Sequence, residues 1–190
     1  MICWDRVGND MVIGVFEPGE VALLRRHLLK LREALEQRFA EHTMDLVLGE
    51  RRPDAMTDDP RLGELLAFRS GDDEPDEVRL WREPAVFETS HHMIEMVLAT
   101  LPTDKALVEI RSFDQVFAWL WALTDVRVAL TPTLAEFGGI EQENAGGILF
   151  TLEWLHAVCD ALRQVTFSEA QPVAAAIAND VNAMDPSGAG

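Results

Sequence analysis

AWLWALTDVRVAL, residues 118–130, decides how the rest of this chain is read. Trp119, Leu120, Trp121, Leu123, Val126, Val128 and Leu130 surround the axis of a helix, the pattern of a segment buried on nearly every side. Asp125 and Arg127 interrupt it. Residues two apart on a helix point roughly 200° apart, so these two do not pair with each other. Asp125 shares the face of Trp121, whereas Arg127 lies with Leu120 and Leu123. Each charge therefore needs a partner from another element, because an unpaired buried charge is costly. Arg127 is expected to reach a carboxylate such as Glu95 or Glu153. The spacing makes Asp125 and Arg127 structural keys of the fold and gives no catalytic pairing.

Working outward, Ser112 with Gln115 has the form of a capping box that opens this helix at residue 113, and Pro132 is expected to end it. Upstream, KALVEIRS alternates apolar and polar residues and reads as a short strand over 106–111. A long helix is expected from Pro84 to Leu101, stopped by Pro102, with a short helix over 61–68 before it. Val21, Leu24, Leu28, Leu31 and Leu35 recur at spacings of three and four, an amphipathic helix from Pro18 to about His42. ICWDRV and MVIGVF, joined by Gly8-Asn9-Asp10, read as a β-hairpin that the 106–111 strand could extend. Downstream, GILFTLEWLHAVCDALRQV is the last core helix. The pairs Gly138-Gly139 and Gly146-Gly147 before it read as hinges. The expected architecture is mainly α: a bundle of about four main helices with a small antiparallel β element. One domain spans residues 1–167, and an Ala-rich extension over 168–190 follows, frayed at its end.

The chain has 190 residues, with 33 acidic against 16 basic, a formal net charge of −17. Nucleic-acid affinity rests mainly on Lys and Arg displacing counterions from phosphates, so direct DNA binding is disfavoured. The stretch 54–77 alone holds nine acidic and two basic residues. Within it, the 70–77 segment SGDDEPDE is expected to be a mobile loop. Together with Trp4 and Trp81, that loop is a candidate interface. No apolar run approaches the ~20 residues that span a bilayer, and no export signal is visible, so a cytoplasmic address is expected.

Candidate chemistry is sparse. Cys3 and Cys159, with 155 residues between them, form no CxxC pair or zinc spacing. They are the redox candidates, since His156 shares a helical face with Cys159 and an imidazole can favour a thiolate. More simply, Cys159 is a small buried residue beside Leu155 and Leu162. Glu88, His91, His92 and Glu95 could pair as carboxylate and imidazole four residues apart, making them weak metal candidates. A metal site needs three or four convergent ligands, however, and paired surface charges explain them better. Arg25, Arg26, His27, Lys30 and Arg32 form a basic stripe interrupted by Glu33 and Glu36, best read as a solvated helix face. There is no GxSxG, P-loop or dinucleotide fingerprint, so no cofactor is implied.

The 118–130 helix followed by LFTLEWLHAVCDAL resembles an actinobacterial family first listed as a domain of unknown function and now named AosR, for oxidative-stress regulator. The likeness lies in an A-W-x-x-A-L-x-D-x-R-x-A-L helix and a closing helix carrying Trp154, Leu155, Val158 and Leu162. It continues in ALLRRHLLKLREAL, DDPRLGELL and VLATLP, and covers about Trp4 to Phe167. The resemblance implies a non-enzymatic cytoplasmic regulator of transcription. Such a protein is linked to thiol redox state and works with a stress sigma factor and the transcription machinery. The family's redox reading relies on a nearby cysteine pair, which Cys3 and Cys159 do not form. Two readings stand beside it: a metal protein or enzyme using the Glu88/His91/His92/Glu95 cluster, and a redox-independent adaptor or oligomerisation module.

Overall fold

The computed structural model describes residues 3–7, 11–48, 57–71, 73–102, 107–136 and 142–167. Eight elements follow in order: β1 (Cys3–Val7), β2 (Met11–Val15), α1 (Pro18–Leu48), α2 (Pro60–Ser70), α3 (Asp76–Thr100), β3 (Leu107–Ile110), α4 (Phe113–Glu136) and α5 (Gln142–Phe167). Helix α4 packs against α1, α2, α3 and α5, so the apolar 118–130 stretch does lie at the centre of the bundle. The strands form one antiparallel sheet in the order β1-β2-β3, with Trp4 opposite Gly14 and Gly14 opposite Val108. The mainly α architecture with a hairpin extended by one strand is the one expected.

The sheet is fixed to the helices by aromatic packing. Trp4 and Phe16 meet edge to face at 5.4 Å, Trp4 and Trp119 at 5.6 Å, and Phe16 and Trp154 at 6.4 Å. Gly14 makes this possible, because a Cβ there would lie 2.5 Å from Cζ3 of Trp4. The Trp4 ring fills the space that the glycine leaves on the inner face of the sheet. Trp4 is thus buried in the core, which corrects its reading as an interface residue.

Local signals set several helix ends. Asp59 caps α2, accepting from the Arg61 backbone N–H at 2.9 Å, with Pro60 in the first turn. Gly71 closes α2 at φ 96°, a left-handed conformation that glycine adopts without strain, and its N–H donates to the Ala67 carbonyl. Ser112 Oγ accepts from the Gln115 N–H at 3.2 Å, while the Gln115 side chain reaches the Arg111 N–H at 2.7 Å. That is a capping box shifted by one residue on its return contact.

Five expectations need correction. Helix α3 begins at Asp76, not at Pro84, which lies inside it. Ser70 belongs to α2, and Asp76 with Glu77 forms the first turn of α3, where carboxylates complement the helix dipole. The acidic 70–77 segment is therefore partly helical. Helix α4 runs through Pro132 to Glu136, and α5 starts at Gln142, so Gly146-Gly147 are helical residues and not a hinge. Helix α1 extends beyond His42 to Leu48. Gly138-Gly139 and the 168–190 extension lie outside the described residues.

Candidate functional site

Asp125 is fully buried on α4, and its partner is Arg69 from the last turn of α2. Arg69 Nε donates to Asp125 Oδ1 at 3.0 Å, and a second guanidinium nitrogen reaches the same oxygen. The guanidinium lies over the Trp121 ring at 3.6 Å, so one arginine is both ion-paired and stacked. Burial pushes the Asp125 carboxyl up, and Arg69, Ser90 and Trp121 oppose that shift. Arg127 is half-buried and meets His156 Nδ1 at 3.2 Å, not Glu95 or Glu153. Glu95 is instead bound by Arg32 of α1 at 2.9 Å. A second buried pair, Arg38 with Glu83 at 2.7 Å, joins α1 to α3. These charges join one helix to another.

The histidine cluster is drawn apart by α1. His91 Nε2 lies 3.4 Å from Glu36 Oε1 and its ring packs on Phe39, while Glu88 and His92 are exposed. Among the described residues no group of three or more His, Cys, Asp or Glu side chains is placed to hold a metal ion. The basic stripe is likewise divided. Arg25 donates to the Leu101 carbonyl at 2.8 Å and closes the end of α3, and Arg32 pairs with Glu36 and Glu95. Burial, then the charges of Arg26 and Lys30, hold His27 below the ordinary imidazole range.

Cys159 is fully buried, and burial pushes its thiol up to about 11, against the pull of Arg163 and Arg127. His156 turns outward to Asp160 at 3.0 Å. A thiol with that pKa is about one part in ten thousand ionised at neutral pH, and the thiolate is the nucleophile. In a Cys3→Ser protein, Cys159 should therefore react with a disulfide reagent only slowly until denaturant is added, then at the rate of a free thiol. Rapid reaction of the folded protein would contradict the burial described. The side chain of Cys3 lies outside what the structure describes.

The arrangement best suited to receive something is a groove where the sheet meets the first turn of α4 and the end of α5. It encloses about 320 Å³, within the range of ligand and side-chain pockets. Met11, Ile110, Phe113 and Phe167 supply apolar lining, and Arg6 and Arg111 line it as well, Arg111 being paired with Glu109. Phe113 is 63% exposed and Phe167 43%, and the two rings meet edge to face at 6.2 Å. One turn further along α4, Phe117 is exposed as well. Sequence reading passed over this site. Its signals were Phe113 in a capping turn and Phe167 after the last core position, both off the buried helix faces.

Fold and surface together define a helical domain with a small antiparallel sheet, whose buried charges join helices and whose aromatic groove is open to solvent. The chain belongs to the family described as Domain of unknown function (DUF2017), whose model matches residues 1–179. That match runs past the end of α5. No curated protein and no solved structure matches the chain. Among the described residues no helix is long and apolar enough to cross a membrane.

Proposed function

We propose that the protein is a non-enzymatic, cytoplasmic regulator of transcription linked to oxidative stress, acting through contacts with a sigma factor or RNA polymerase. The likeness of its 118–130 and 149–162 helices to the AosR family supports the transcriptional part. The groove beside Phe113 and Phe167 carries the protein-contact part. Open aromatic surface of this kind is where partners insert side chains, and aromatic residues dominate the energy of such contacts. A net charge of −17 favours protein partners over a DNA backbone. On this reading Cys159, buried and protonated, is not the target of the oxidant.

The test is capture of transcription proteins from lysate, with and without peroxide, using wild type and a Cys3→Ser, Cys159→Ser protein. The expected result is that both proteins capture a sigma factor or polymerase subunits. An oxidant effect seen only with wild type would restore a sensor role to the cysteines. Recovery of no transcription protein under either condition would overturn the regulator reading.

A further inference from the structure

Helix α3 buries Glu83, Phe87, Ser90, Ile94 and Val97 on one side. The opposite stripe, at spacings of three and four, is Val78, Trp81, Ala85, Glu88 and His92, and all five are exposed. Its second half is polar, as an outward helix face should be. Its first half is not. Trp81 is 80% exposed, while Trp4, Trp119 and Trp154 are buried and Trp121 is covered by Arg69. An outward tryptophan gains nothing for the fold, and tryptophan is the residue most concentrated at the centres of binding energy.

The charge around this stripe is one-sided. Arg82 is engaged by Glu74 at 2.9 Å, and Arg79 donates to the Gly71 carbonyl at 3.1 Å. Asp73, Asp76 and Glu77 are exposed and make no ion pair among the described residues. The helix dipole explains carboxylates at positions 76 and 77, but neither Asp73 nor the apolar residues beside them.

We propose that the outer face of α3 around Trp81 is a docking surface for a basic, arginine-bearing segment of a protein partner. The Trp81 ring offers its face to a guanidinium, as Trp121 does to Arg69 within this same chain. Val78 and Ala85 flank the ring and take the aliphatic part of such a segment, while Asp73, Asp76 and Glu77 supply charge-assisted hydrogen bonds. A nucleic acid has the wrong sign for this face, and a second copy would set the same carboxylates against each other. Trp81 lies about 30 Å along the α3 axis from the end that meets the sheet, at 1.5 Å per residue. This face and the Phe113 groove can therefore be occupied together, which lets the protein bridge two partners. The inference rests on the reading that the protein works through protein contacts, but not on transcription as the process served.

The test is fluorescence anisotropy at physiological salt with a labelled amphipathic helical peptide of arginine and leucine, against the full chain. Trp81→Ala should weaken binding by about tenfold or more, as should Asp73→Asn, Asp76→Asn, Glu77→Gln combined. An equal removal of charge elsewhere, Glu33→Gln, Asp114→Asn, Glu153→Gln, should leave binding within about twofold. Trp81 is exposed, so its variant is expected to melt with the wild type. The surface is overturned if wild type does not bind, if Trp81→Ala binds unchanged, or if the two charge variants lose affinity equally. It is also overturned if Trp81→Ala converts a sedimenting dimer of the protein alone to monomer, since the occupant would then be a second copy. Failure of the regulator reading shows separately, as absent capture of transcription proteins by wild type, and leaves the peptide result standing.

Discussion

Asp125→Ala should lower the unfolding free energy by about 3–5 kcal/mol, among the largest single losses in the chain. The carboxylate is fully buried between α2 and α4, and its removal leaves the Arg69 guanidinium largely buried without its counter-charge. Replacing both partners with apolar residues, Arg69→Met with Asp125→Leu, should recover at least half of that loss. The desolvation cost of the pair disappears along with its attraction. A denaturant-melting double-mutant cycle reads the coupling directly. Additive single and double losses would show that Arg69 and Asp125 do not act as a pair. Arg127→Ala should cost far less, because its contact to His156 is exposed.

Trp119→Ala should be comparably damaging, at about 3–5 kcal/mol. Its side chain is fully buried where β1, the residue after β2 and the end of α3 meet α4. It packs on Trp4 at 5.6 Å and Phe16 at 6.0 Å, and its Nε1 donates to Thr100 Oγ1 at 2.8 Å. Truncation leaves a cavity beneath the sheet and strips the Trp4 ring of its edge-to-face neighbour. Trp119→Phe should be milder, because an aromatic ring stays in place and Thr100 keeps its bond to the Val97 carbonyl. Thermal melting followed by near-ultraviolet circular dichroism checks both. Equal losses for Ala and Phe would mean that the hydrogen bond, not the packing, holds this junction.

Much of this fold was legible because the apolar periodicities are strong. The 118–130 stretch announced a central helix, and the leucine spacing of α1 and the alternation in β3 placed those elements within a few residues. The prolines misled. Pro84 is exposed within α3, where the missing hydrogen bond and ring clash fall on the solvent side while Phe87 and the buried Arg38–Glu83 pair hold the inner side. Trp4 was misread because a strand of five residues carries too little alternation to say which face is inward. The informative residue was Gly14, directly opposite Trp4 on the neighbouring strand.

The candidate site was harder to read than the fold. That Asp125 and Arg127 are structural followed from their helical spacing, but Arg69, 56 positions before Asp125, carries no local mark of its partner. Helical periodicity tells which face is buried, not which distant charge arrives there. The Phe113 groove is assembled from five elements, so no window of sequence contains it.

The proposed function has the protein act through its aromatic groove by contact with the transcription machinery. The most direct measurement is capture of sigma factor and polymerase subunits by a Phe113→Ala, Phe167→Ala protein beside wild type, with a melting curve for each. Capture is expected to fall by about tenfold or more while the melting temperature stays within a few degrees, since neither ring is buried in the core, Phe113 being 63% exposed and Phe167 43%. Undiminished capture by the folded variant would contradict it.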